Sequence, residues 1–138
     1  MNGIYVMDAC AIIAFLQDEQ GADKVVTVLA NAKNGKCKIY INAVNLVEVY
    51  YNVYRVAGKA KADEEITMIK KLPVEINAEI TDRIFEEAGR LKAYYKISFA
   101  DSFALAQAIA SGGELLTADH HEFDAIENKE NIHFHWIR

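Results

Sequence analysis

Apolar residues in this chain follow two different spacings, which alternate along its length. Short unbroken runs read as buried strands over residues 3–8, Lys38–Asn42, Leu72–Asn77, Glu114–Thr117 and Ile132–Ile137. Between them the apolar positions recur at helical spacing. Ala9–Gln17 reads as a short helix. Ala22–Lys33 reads as another, with Val25, Val28 and Leu29 on one side and Asn34-Gly35 as its stop. A longer helix opens at Asn42 or Ala43, shows Val47, Tyr50, Val53 and Tyr54 on its apolar face, and ends at Gly58. Ala60–Lys71 carries Ala62, Ile66 and Ile69 on one side, and Pro73, the only proline, marks a break after it. Glu79–Tyr95 has a stripe of Ile80, Ile84, Ala88, Leu91 and Tyr95. The alanine-rich Phe99–Ala110 stops at Ser111-Gly112-Gly113.

Strands that alternate with helices predict βαβ units and a mainly parallel sheet, an α/β fold. At 138 residues, one domain spanning 1–138 is expected, and 52% hydrophobic residues can build its core. No run approaches the roughly 18 apolar residues of a membrane helix, and the apolar start is interrupted too early for a signal peptide. Cys10 and Cys37 are too few and too far apart for a disulfide framework or zinc ribbon. Two buried, reduced thiols in a cytoplasmic protein are expected.

The net charge of −5 argues against a basic nucleic-acid-binding face. The sum hides clustering, however. Setting four of the 20 acidic residues aside leaves 16 against 15 basic. Four particular acids earn that separation. In a parallel sheet every strand ends on one edge, and the helices that follow strands begin there. Asp8 ends the first strand and Asp119 lies just past the fourth. Asp101 falls in the first turn of the helix from Phe99, and Glu48 within two turns of the start of the helix after the second strand.

Each acid also has a bland explanation. Ser98 and Asp101 have capping-box spacing, Glu48 could lie on a solvated helix face, and Asp119 could cap a short turn through Phe123. Asp8 is hardest to explain this way, because a carboxylate directly after a buried strand is costly without partners. Converging carboxylates raise one another's pKa values, and a cation relieves the repulsion. Hard oxygen ligands without His or Cys suit Mg²⁺ or Mn²⁺.

The residues at these positions resemble the PIN-domain ribonucleases, especially the small VapC-type toxins of prokaryotic toxin–antitoxin systems. Tyr5-Val6-Met7-Asp8 is similar to the family's opening strand and first acid, and Asn45-Leu46-Val47-Glu48 to the second acid with its preceding polar residue. The segment from Ser98 to Ala106 resembles the third, and Leu115-Leu116-Thr117-Ala118-Asp119 with Phe123 the last. The resemblance implies a three-layer α/β/α fold with a five-stranded, mainly parallel sheet. It implies Mg²⁺- or Mn²⁺-dependent cleavage of RNA, homodimerisation, and neutralisation by a small antitoxin protein. On this basis Asp8, Glu48, Asp101 and Asp119 are the expected metal-binding and catalytic residues. Thr117, Asn45 and Ser98 are expected to support them. The sequence departs from the pattern after the first acid, where Ala9 stands in place of a Ser or Thr.

Two other readings remain. One is a catalytically weak module of the same fold that binds RNA or protein. The other is a Mg²⁺-binding phosphoacceptor domain, which lacks support because Asp8 has no acidic neighbour before Asp18 and no lysine replaces Asp119. His133 and His135 could share a strand face, and His120 and His121 read as turn residues. Tyr50, Tyr51, Tyr54, Tyr94 and Tyr95 read as packing or dimer contacts.

Overall fold

In a computed structural model, residues 3–138 are described; Met1 and Asn2, the start of the expected domain, lie outside them. In chain order the elements are β1 (Ile4–Met7), α1 (Ala9–Leu16), α2 (Ala22–Lys33), β2 (Lys38–Asn42), α3 (Ala43–Ala57), α4 (Lys59–Lys70), β3 (Glu75–Asn77), α5 (Asp82–Tyr94), α6 (Phe99–Ser111), β4 (Glu114–Thr117), α7 (His120–Glu127) and β5 (Phe134–Trp136). The strands form one sheet in the order β3-β2-β1-β4-β5, and every neighbouring pair is parallel.

Successive side chains on a strand point to opposite faces of the sheet. Met7, Ile39, Ile41 and Leu116 therefore pack with α1, α2, α3 and α4 through Ile12, Val25, Leu29, Val49 and Ile69. Val6 and Leu115 pack on the other side with Leu91 of α5, Leu105 of α6, and Phe123 and Ile126 of α7. These two cores make the three layers that the family resemblance implies. The strands are apolar on both faces because helices cover both.

Several boundaries differ from expectation for local reasons. The helix expected from Glu79 begins at Asp82. The Thr81 hydroxyl accepts the Ile84 N–H at 3.2 Å and caps it, while an Asn77–Glu79 turn holds the preceding residues out. Ile80 is consequently outside the helix and 54% exposed. The turn expected through Phe123 is a two-turn helix, because Phe123 and Ile126 both bury against the sheet. The third and fifth strands are shorter than predicted, with Leu72 and Pro73 in a bend before β3. Cys10 and Cys37 are free but only partly buried, where full burial was expected.

Gln107 ties the β3 edge of the sheet to α6. Its Oε1 accepts hydrogen bonds from Asn42 Nδ2 at 3.1 Å and from Asn77 Nδ2 at 2.7 Å. The two asparagines are partners in the β2–β3 register. Asn42 is 2% exposed, so its amide has no ready replacement partner. Gln107→Leu is expected to destabilise the fold by about 1–3 kcal/mol, the cost of stranding buried donors, as measured by chemical denaturation.

Candidate active site

The strands turn polar at one level. Asn77 pairs in register with Asn42. Carrying on the ladders that align Val6 with Tyr40 and Met7 with Leu116, by two residues and one residue respectively, Asp8 falls beside Asn42 and Thr117. This register explains the first contact of the site: the Thr117 hydroxyl donates to Asp8 Oδ2. The same hydroxyl oxygen accepts the Asp119 N–H at 3.0 Å, so one side chain holds the Asp8 carboxylate and the Asp119 backbone at the β1 and β4 ends. Asp8 Oδ1 accepts the Ala11 N–H at 2.8 Å and caps α1. Asp8 is only 1% exposed, and these two donors make its burial tolerable.

Asp101 lies in the first turn of α6, 7% exposed. Ser98 caps that helix, its hydroxyl accepting the Asp101 N–H at 3.1 Å. Asn45, fully buried on α3, donates from Nδ2 to the Ala100 carbonyl at 2.9 Å. It therefore ties α3 to the start of α6 without touching a carboxylate. Glu48 lies one turn further along α3, partly buried, and its Oε1 has no hydrogen-bond partner. Asn45 Oδ1 is likewise buried without one.

Asp8, Glu48, Asp101 and Asp119 lie near enough to act on one another electrostatically, but the grouping with metal-ligand spacing takes only Asp101 and Asp119 of these four and adds a residue that the sequence pattern did not single out. Asp101, Asp119 and Glu122 each place a carboxylate oxygen within 4.8 Å of the others. Glu122 sits in the first turn of α7, where its N–H donates to Asp119 Oδ1 at 3.1 Å. With α7 read as a turn, nothing marked Glu122 as facing inward. The available signal was Phe123 and Ile126 at helical spacing, which fixes the direction of its neighbour.

Burial pushes Asp8 up from its ordinary 3.8 to about 7, opposed by the Thr117 and Ala11 hydrogen bonds and reinforced by Asp119 and Glu48. Asp101 rises to about 8, chiefly from burial and then from Asp8. Glu48 is raised by burial, then by Asp119 and Glu122. Each acid thus sits in the field of the others. The Cys10 thiol is pushed up to about 11 by burial and Asp8, which leaves it protonated and a poor nucleophile.

The donor set fits a hard divalent cation: carboxylate oxygens of Asp101, Asp119 and Glu122 come from two helices and a strand end, and Glu48, in the field of Asp119 and Glu122, keeps a buried Oε1 without a partner. Ala9 is 4% exposed and packs in the core, so the side chain at that position meets apolar neighbours. His133 and His135 enter no grouping with metal-ligand spacing among the described residues; His135 instead lies edge-on to Tyr5, ring centroids 5.6 Å apart.

A PIN domain family model matches residues 5–129. The chain belongs to the PIN domain family. Solved structures extend the likeness across the molecule. The DNA-bound VapBC complex of Salmonella typhimurium aligns with a TM-score of 0.75 at 13% identity, covering 100% of both chains. VapBC2 of Rickettsia felis, bound to a promoter DNA fragment, aligns at 0.74 and 17% identity over 96% of this chain and 98% of that one. VapC20 of Mycobacterium tuberculosis, described as a toxin cleaving the sarcin-ricin loop, aligns at 0.67 and 15% identity over 88% and 95%. At such identities the likeness is one of fold. No curated protein matches the chain in sequence.

In this PIN domain the raised carboxyls couple stability to pH. Folded Asp8 and Asp101 hold protons that the unfolded chain releases, so their contribution is complete below about pH 4 and is lost as pH climbs through about 7 and 8. Acid also weakens pairs such as Glu130 with Arg90, so the effect is best measured as a difference. In metal-free buffer Asp101→Asn, which cannot ionise, should gain in Tm over the wild type as pH rises from about 5 to about 8. A difference that stays flat over that range would contradict the assignment.

Proposed function

We propose that this PIN domain is a divalent-metal-dependent endoribonuclease that hydrolyses RNA phosphodiester bonds with Mg²⁺ or Mn²⁺, and that it acts as the toxin of a toxin–antitoxin pair in the cytoplasm. The observation that carries the reading is the inward-facing carboxylate group, with one buried Glu48 oxygen bonded to nothing, at the carboxyl edge of a parallel sheet. Membership of the PIN family supports the same chemistry.

A bound cation would neutralise the carboxylates, polarise a phosphoryl oxygen and lower the pKa of a water. The chain's own residues supply position. Asp8, Asp101 and Asp119 would hold the ion, with Thr117 orienting the Asp8 carboxylate and anchoring the Asp119 backbone. Glu122 would join them from α7. Glu48, free at Oε1, would orient the attacking water and draw its proton. The water oxygen then bonds to phosphorus, a bridging P–O bond breaks, and the leaving oxygen takes up a proton. Asn45 and Ser98 act on position alone, by fixing the start of α6 under Asp101.

Purified protein should cleave RNA with Mg²⁺ or Mn²⁺ and stop with a chelator. Glu48→Gln and Asp101→Asn should each lower the rate by about 100-fold or more. Thr117→Val, which unties Asp8 from Asp119, should cost about 10–100-fold in metal affinity. Cleavage that survives chelation would end this reading.

The surface also supports a small protein partner. A cavity of about 540 Å³ opens between α1, α3 and α4, walled by Ile13, Leu16, Val53 and Val56, with Val56 87% exposed. An amphipathic helix of an antitoxin could lay its apolar face there. No helix among the described residues is long and apolar enough to cross a membrane. The homodimer that the family resemblance implies belongs to the same proposal, with sedimentation as its measure. Val56→Asp should abolish co-purification with the product of a neighbouring antitoxin reading frame while leaving RNA cleavage intact.

A further inference from the structure

Past β5 the chain crosses the carboxyl edge of the sheet. The Ile137 N–H donates to the Thr117 carbonyl at 3.0 Å, and the Ile137 side chain is buried in the core that α1 shares. The crossing is close. A Cβ on Gly21, in the turn between α1 and α2, would lie 2.5 Å from the Ile137 carbonyl oxygen, and the φ of +97° there already favours glycine. Arg138 then reaches in two directions. Its Nη1 donates to the Gln20 carbonyl at 2.7 Å and lies 3.6 Å from Glu19 Oε1. Its main-chain oxygen accepts from His120 Nε2 at 2.8 Å.

His120 opens α7, directly after Asp119 and two residues before Glu122. Its ring is held on three sides. Nδ1 donates to Asp124 Oδ1 at 2.7 Å, Nε2 donates to Arg138, and the ring stacks on Trp136 with centroids 3.8 Å apart and planes 11° from parallel. Trp136 in turn donates from Nε1 to Glu127 at 2.9 Å, at the far end of the helix. Phe123 and Ile126 bury the inner face of α7, but they lie towards its middle and end. The tilt of the first turn is left to other contacts, and a helix of eight residues has little rigidity of its own. The Arg138–Glu19 pair is partly exposed, 31% and 38%, and such a pair adds little to fold stability. What it adds is a connection, from the turn after α1 to the turn that carries two of the three grouped carboxylates.

We propose that Arg138 and His120 act as one strap across the acidic group and are positioning residues for its divalent cation, holding Asp119 and Glu122 in place against Asp101. The inference rests on the reading of the carboxylates as a metal site and adds two residues that are not themselves ligands. Electrostatics alone argues for the opposite effect. Burial, Asp8 and Asp119 push the Cys10 thiol up while Arg138 pulls it down, so the guanidinium acts on the same small region as the acids. A positive charge there repels an arriving cation, and removing it would tighten metal binding. If the strap sets the ligand geometry, removing it loosens metal binding instead. The sign of the change separates the two.

The test is Mn²⁺ binding to the full chain, read from the electron paramagnetic resonance signal of free Mn²⁺, at a temperature where circular dichroism shows every variant folded. Arg138→Met keeps the main-chain oxygen that His120 uses and removes the guanidinium. His120→Phe keeps a ring to stack on Trp136 and removes both donors. Each should weaken Mn²⁺ binding by about 10-fold. The double variant should lose no more than the weaker single variant does, because cutting a strap twice costs what cutting it once does. Arg138→Lys, which keeps a charged donor for the Gln20 carbonyl, should recover most of the affinity. The proposal is overturned if Arg138→Met binds Mn²⁺ as tightly as wild type or more tightly, or if Arg138→Lys is as weak as Arg138→Met. It is also overturned if the two losses multiply in the double variant. Variants that melt lower yet bind Mn²⁺ with wild-type affinity would make the contacts merely structural and overturn it too. Wild-type protein that binds no Mn²⁺ overturns the metal reading and this one with it. Wild-type protein that binds Mn²⁺ and loses it on Glu122→Gln, while Arg138→Met is unchanged, overturns this one alone.

Discussion

The structure depends on keeping an acid buried at the end of its central strand. Asp8 is nearly inaccessible to water, and an unsolvated carboxylate is expensive without donors. Two donors meet it, and each commits part of the fold. The Ala11 N–H requires α1 to start immediately after β1. The Thr117 hydroxyl requires β4 to lie beside β1 in one register. A slip of one residue would turn Thr117 to the other face of the sheet and leave Asp8 short of a partner. Helix entry, strand register and site geometry are thus consequences of the same pair of hydrogen bonds.

The polar edge extends past Asp8. Asn77 and Asn42 continue the row along the sheet and hand their amide protons to Gln107. Asn42 also accepts the Val44 N–H at 2.9 Å and so starts α3. The row therefore divides into a neutral part, satisfied by its own hydrogen bonds, and an acidic part whose charges face one another. The molecule carries excess negative charge overall, but the demand for a counter-charge is local to the second part.

Much of this was legible in the sequence because two signals coincided. Tyr5-Val6-Met7-Asp8 and Leu115-Leu116-Thr117 are continuous apolar runs that break into polar residues, which marks both a covered strand and its polar end. The helical stripes around Val25–Leu29 and Ile84–Leu91 were equally plain. What escaped was decided by short-range competition. Thr81 caps a helix whose apolar periodicity begins earlier, near Glu79, and periodicity cannot register a hydroxyl hydrogen bond. Glu122 looked like one polar residue in a polar turn until the burial of Phe123 and Ile126 made α7 a helix. Asn45 could be picked out beside Glu48, but the sequence could not show that its partner is the backbone of Ala100 rather than a carboxylate.

The acids differ in how much else rests on them, which matters to anyone making a silenced form of the protein for trapping complexes. Asp8 and Asp119 double as helix caps, and alanine at a cap costs about 1 kcal/mol of fold stability on its own account. On the proposed reading, an inactive variant made at either position would be hard to tell from a loosened one. Glu48 supports no helix end, and its inner oxygen bonds to no other group. On the proposed reading it is the position where loss of chemistry and loss of structure separate most cleanly.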